Sequence, residues 1–279
     1  MKVVNLFSII FLFIFNNSHS QIEEFYLGEN LNERVIFQKI KEIRGDLFKY
    51  ANENIGPNSR LIFFYTFDEK GNNTKEQVYS MRKEKIITNI DYKYNNSDFL
   101  TDDVEYDENG RAKLKSKYTY DKKGMLIERV KIKANGKTSS TIHYKYDESG
   151  RKETEDWFNH KGTMYEEKKY AYGENGLISE EIHYNDEDAI CTHFKYQYNE
   201  NKLLTEKVSF YSDGNVYERW VYSYDSYGNR IQEQHFFSGD KPEYVLAYTY
   251  DELYNVTESK LFNESGKIIK SVKYSYTYY

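Results

Sequence analysis

The sequence predicts an all-β fold, an antiparallel meander of 26-residue hairpin repeats wound into a curled sheet, an open roll or a barrel-like solenoid. Three observations carry this. The second aromatic of a Tyr-x-Tyr phrase recurs at Tyr94, Tyr120, Tyr146, Tyr172, Tyr198, Tyr224, Tyr250 and Tyr276, always 26 residues apart. The phrase runs directly into a turn, as in Tyr118-Thr119-Tyr120-Asp121-Lys122-Lys123-Gly124. Finally, 30 Tyr and 17 Phe against only 2 Pro in 279 residues suit strands better than linkers or disorder.

Taken in order, residues 1–20 read as a secretory leader. Lys2 supplies the basic start, residues 3–15 are nearly all apolar, and Ser18-His19-Ser20 offers small residues for cleavage before Gln21. The apolar run is too short for a comfortable span, so no stable membrane span is expected after cleavage. The mature chain is therefore expected in the periplasm, on the outer surface or outside the cell. Cys191 is the only cysteine, which excludes an internal disulfide. Loss of Lys2 leaves 38 basic residues against 45 acidic ones, the wrong sign for a nucleic-acid partner.

Residues 21–60 form an N-terminal lead-in and residues 61–279 the repeat domain. Within the lead-in, Ile36, Ile40, Ile43 and Leu47 follow a helical spacing, yet the adjoining sheet needs a first strand, so residues 34–51 are read as strand. Residues 52–59, with Gly56 and Pro57, read as a turn. Phe63-Phe64-Tyr65-Thr66-Phe67-Asp68 is the repeat phrase with Phe67 in the marker place, one residue out of step with Tyr94.

Each repeat carries two turns. Asp121-Lys122-Lys123-Gly124 and Asp147-Glu148-Ser149-Gly150 place Asp where its side chain bonds backbone two residues on, and Gly where a left-handed residue is needed. A second turn follows, as in Glu108-Asn109-Gly110 and Ser212-Asp213-Gly214. Two turns per repeat leave two strands of about eight or nine residues, each about 28 Å long. Some sixteen to eighteen strands, roughly, make a sheet too wide to stay flat. Polar Thr119, Lys145 and Gln197 between the paired tyrosines give a period of two, with one aromatic face and one charged, solvated face.

The phrase Tyr-x-Tyr-Asp-x-x-Gly, at Tyr118 to Gly124, Tyr144 to Gly150 and Tyr222 to Gly228, resembles the YD repeats of the RHS family. The resemblance covers about Phe63 to Tyr279. It implies a β-sheet shell of the kind that in some members encloses a toxin, and a carbohydrate-binding or cell-surface role. The period here is longer than the commonest family spacing, and the family's terminal Pro-x-x-x-x-Asp-Pro-x-Gly-Leu motif is absent, so a toxin-enclosing shell is not expected.

For chemistry, the aromatic face offers Tyr118, Tyr144, Tyr170 and Tyr222, with Trp157 and Trp220 breaking the pattern. Such rings stack on sugars while their polar edges bond hydroxyls, although their plainer role is the core of the sheet. Glu128, Glu180 and Glu206, eight residues after their markers, fall on the same face by parity. That places Glu128 beside Tyr118 in an acid-lined interior suited to sugar hydroxyls or a cation. Identically repeated acids do not provide the two unlike environments a glycosidase needs, so no enzyme activity is expected. His183 and His235 lie two repeats apart, about 19 Å, too far to share a metal; no metal and no cofactor are expected. The function expected is non-catalytic binding of a carbohydrate or other cell-envelope ligand. The alternative is a protein-interaction scaffold, immunity-like or toxin-associated, that uses the charged face and unpaired edge strands to hold an envelope protein.

Overall fold

The computed structural model describes residues 26–27, 31–51, 54–80, 85–237 and 239–279. The expected leader and its cleavage site lie outside them. A helix α1 (Leu31–Gln38) precedes eighteen strands in nine consecutive hairpins. These are β1 (Ile40–Ala51) with β2 (Asn54–Phe67), β3 (Asn73–Tyr79) with β4 (Ile86–Tyr94), and β5 (Leu100–Tyr106) with β6 (Ala112–Tyr120). There follow β7 (Leu126–Lys133) with β8 (Thr138–Tyr146), β9 (Lys152–Asn159) with β10 (Met164–Tyr172), and β11 (Ile178–Asn185) with β12 (Ile190–Tyr198). The last three are β13 (Leu204–Phe210) with β14 (Val216–Tyr224), β15 (Arg230–Phe236) with β16 (Tyr244–Tyr250), and β17 (Val256–Asn263) with β18 (Ile268–Tyr278).

Each strand pairs antiparallel with its neighbours in sequence, and β1 pairs with both β2 and β18. Of the three windings the sequence allowed, the closed barrel is the one formed. Closure leaves no free sheet edge among the described strands, which removes the edge-strand docking on which the scaffold alternative relied.

The repeat length explains why the sheet closes. Asp102 pairs with Lys117 and Lys117 with Val130, so a ladder advances 28 residues per hairpin while the sequence repeats every 26. Every hairpin is thereby displaced by two residues relative to the last. Around nine hairpins the stagger reaches about 18 residues, equal to the strand number. That ratio matches eight-stranded barrels with a stagger of eight, whose strands tilt by about 36°. At that tilt, equivalent repeat positions lie at one level, and a circular section has a radius of about 16 Å.

Turn chemistry follows the expected rule. Asp121 Oδ1 accepts bonds from the backbone N–H of Lys123 and Met125, each 2.8 Å, and Gly124 sits at φ 83°. Beyond almost every turn the register slips by one residue, a β-bulge that sequence parity did not register. In the hairpin of β6 and β7, Tyr120 aligns with Leu126 but Thr119 with Glu128, leaving Ile127 extra. The marker tyrosines answer this bulge. Tyr120, Tyr146, Tyr172, Tyr224, Tyr250 and Tyr276 each donate to the carbonyl 20 residues earlier, the first residue of the preceding strand, at 2.6–2.9 Å. A disrupted ladder is thus satisfied by the residue that defines the repeat.

Residues 34–51 divide between helix and strand. Val35 is buried at the i+4 position from Leu31, Lys39 turns the chain at φ 56°, and Ile40, Ile43 and Leu47 are buried from the strand. Strand β2 begins at Asn54, so most of the expected 52–59 turn is strand. Its Gly56–Asn58 stretch forms a bulge between the pairs Phe48↔Ser59 and Tyr50↔Ile55, where a proline is tolerated. The main apolar cluster lies in one sector, where Leu27, Leu31 and Val35 pack with Ile62, Phe63, Tyr248, Val256 and Val272, while Leu100, Ile142, Phe194 and Phe236 are buried apart from it.

Candidate functional site: a tyrosine and carboxylate ring inside the barrel

The first tyrosine of each phrase points inward. Tyr92, Tyr118, Tyr144, Tyr170, Tyr196, Tyr222, Tyr248 and Tyr274 share one repeat position and one level of the interior. On the alternate strands the residues at this level are Glu76, Asp103, Arg129, Glu155, Glu181, Lys207, Glu233 and Ser259. Register places each of these tyrosines except Tyr274, which faces Gly45, directly opposite one of them on the following strand, as Tyr118 opposite Arg129 and Tyr170 opposite Glu181. Its hydroxyl reaches back to the preceding strand: Tyr92 to Glu76 (2.9 Å), Tyr118 to Asp103 (2.5 Å) and Tyr196 to Glu181 (2.8 Å). The result is a belt of alternating phenols and charged groups.

Electrostatics follow from this arrangement. Burial raises the hydroxyls of Tyr92, Tyr170 and Tyr196 far above an ordinary phenol, and the adjacent carboxylates reinforce it, so these groups remain donors. Burial opposes ionisation of Glu181, but bonds from His183 and Tyr196 outweigh it and hold the carboxyl below its ordinary value. Asp103 is ion-paired to Arg129 at 2.8 Å, deep in the wall. Tyr118, Tyr144, Tyr170, Tyr196 and Tyr222 all keep part of their surface accessible, so side chains do not fill this arc as they would an eight-stranded barrel.

Trp157 and Trp220 also face inward, one level further from the Asp-x-x-Gly turns, since Trp157 pairs with Ile142 and Trp220 with His235. The structure therefore brings Trp157, Trp220, Tyr118, Tyr144, Tyr170 and Tyr222 to one interior surface. Glu128, Glu180 and Glu206 are not part of it. Each lies opposite the residue between the paired tyrosines, Thr119, Ala171 and Gln197, on the outer face. There they meet His143 (3.3 Å), His193 (2.7 Å) and Arg219 (3.3 Å). The bulge after each turn is the cause: one extra residue turns the expected acid outward and its successor inward. The inward acids at Asp103, Glu155, Glu181 and Glu233 stand nine residues after their markers, a spacing readable only once the bulge is known.

The interior level of the tryptophans holds a further regularity. Trp157 Nε1, Ser209 Oγ and His235 Nδ1 are buried without a hydrogen-bond partner, and all three occupy the same repeat position. Buried polar groups are ordinarily paired, so this level lacks partners that a bound water or ligand would supply.

No family model and no curated protein matches the sequence. Among solved structures, the chain is similar to a porin-like protein from Bacteroides uniformis (TM-score 0.46, 12% identity, 85% of this chain and 98% of that one). It is also similar to a complex of TcdB2, TccC3 and Cdc42 (TM-score 0.39, 12% identity, 81% of this chain) and to a porin-like protein from Bacteroides vulgatus (TM-score 0.31, 10% identity, 83% of this chain and 97% of that one). This chain spans 14% of the length of the TcdB2–TccC3 chain it matches.

Proposed function

We propose that this is an exported, non-catalytic binding protein that holds a segment of carbohydrate inside its barrel. The observation that carries the reading is the interior belt of partly accessible tyrosines alternating with carboxylates at one level. Ring faces offer stacking for sugars, and carboxylates accept from sugar hydroxyls. The unpaired atoms of Trp157, Ser209 and His235 one level away add polar contacts of the kind a hydroxyl-rich ligand fills.

The outer face supports an aqueous setting. Lys115, Lys117, Lys145, Lys169 and Lys195 are exposed on it, and each lysine facing lipid near a bilayer midplane costs about 2–4 kcal/mol. A second reading, an envelope protein held on this outer face, draws on its repeated acid, cation and aromatic groupings, such as Glu180, His193 and Phe210.

The first reading is tested by isothermal titration of the leaderless protein with neutral cell-wall and capsular oligosaccharides. Saturable binding is expected, and Tyr170→Ala and Tyr222→Ala should each weaken it up to about tenfold, the value of an aromatic contact of 0.5–1.5 kcal/mol. The outward Thr119→Ala should bind as the parent does. Absence of binding to every glycan, or unchanged affinity in both tyrosine variants, counts decisively against it.

A further inference from the structure

The interior wall between β7 and β10 has an excess of donors over acceptors. Lys131 Nζ lies 5.5 Å from the centroid of the Trp157 ring and Lys168 Nζ lies 5.2 Å from it, so two ammonium groups flank one indole. All three residues sit two positions along their strands from belt members: Lys131 from Arg129, Trp157 from Glu155, Lys168 from Tyr170. Lys168 has Glu166 at 3.6 Å, and that carboxylate is shared with His183, also at 3.6 Å. Arg129 is taken by Asp103. Lys131, half-buried, makes no ion pair among the described residues, because the neighbouring Asp103 is paired with Arg129 and Glu105 with Lys113. The Trp157 Nε1–H, on the same indole, has no acceptor.

Two independent shortages therefore meet at one place: an unpaired ammonium and an unpaired indole donor. Burial, helped by the nearby Arg129, depresses the Lys131 pKa against the opposing pull of Asp103 and Glu105. We infer that Lys131, Trp157 and Lys168 form an anion subsite on the inner wall that takes a carboxylate or sulfate group of an acidic glycan. An oxyanion seated at the Nε1 edge of Trp157 accepts from the indole and bridges both ammonium groups, with the flexible lysine stems turning to admit it. Position adds to the case, because the subsite lies one level from the tyrosine belt, within the reach of a sugar ring stacked there. The inference rests on the proposed carbohydrate reading and narrows it to polymers carrying uronate or sulfate.

The test titrates the leaderless full chain with three hexasaccharides: a neutral glucan, a uronate oligomer and a sulfated oligomer. The acidic probes are expected to bind at least tenfold more tightly than the neutral one, with an affinity that falls as salt rises. Lys131→Gln should abolish that preference and leave neutral binding unchanged, while Lys131→Arg retains it. Trp157→Phe, which keeps a ring but removes the donor, should weaken acidic binding more than neutral binding. Preference for the uronate over the sulfated probe, or the reverse, identifies the anion. If neutral and acidic probes bind equally, or Lys131→Gln leaves the preference intact, the subsite is overturned while the carbohydrate reading stands. If no hexasaccharide binds, both fall.

Discussion

Replacing Gly45 by valine is expected to destabilise the barrel by about 3 kcal/mol or more, because it expels a buried ring from the seam where the sheet closes. Gly45 lies in β1 opposite Phe63 of β2 and Tyr274 of β18. A Cβ placed there would stand 2.1 Å from Phe63 Cε1, so the ring lies across the glycine's own Cα. Phe63 is fully buried and packs 5.5 Å from Tyr65 and 5.3 Å from Tyr274, centroid to centroid. No rotamer change at the seam relieves such a clash without loss of those contacts. Phe63→Ala alone should cost about 3–5 kcal/mol. In the double variant the two costs should overlap by about 1–3 kcal/mol, since the small residue vacates the space the valine needs. Urea unfolding of the four proteins gives the cycle, and strict additivity would show that Gly45 and Phe63 do not share the site.

The second large effect concerns length. Removal of residues 173–198 deletes one whole repeat, two strands and two residues of stagger, and joins Tyr172 to the turn beginning at Asn199. Strand number and stagger fall together to about 16, so the barrel still closes at the same tilt. The deletion also takes Glu181, His183 and Tyr196 together, which leaves none of that trio without its partner. A cooperative unfolding transition and a slightly smaller hydrodynamic radius are expected. Removal of residues 173–197 differs by one residue but reverses the facing of the strand that follows. That variant should lose cooperative unfolding or aggregate. Equal folding of the two deletions would contradict the link between repeat length and stagger.

The architecture was legible because the physics that builds it is local. Asp121 and Gly124 announce a turn by their own chemistry, and alternation of tyrosines with Thr119 or Lys145 announces a two-faced strand. What escaped was the bulge beyond each turn, because no residue type is required at Ile127. One unannounced residue was enough to send Glu128, Glu180 and Glu206 outward and to bring Asp103, Glu155 and Glu181 in. The tyrosines and Trp220 take the expected face, since their facing is fixed within one strand and crosses no bulge, whereas Trp157 lies beyond the bulge of β9 and its facing was not legible. Closure was not legible either. It depends on β1 meeting β18 more than 200 residues away in sequence, and on a glycine, Gly45, that carries no local signal.

Interior binding requires a closed wall, and closure is tested most directly by residue-resolved amide hydrogen exchange of the protein lacking residues 1–20. In a closed barrel the amides of β1 that face β18, and those of β18 that face β1, are ladder-bonded and exchange as slowly as the amides of a mid-barrel strand such as β9. Protection of β1 and β18 within about tenfold of β9 is the expected result. Exchange of those facing amides faster by orders of magnitude, as at an open edge, would contradict it and leave the tyrosine belt on an open sheet.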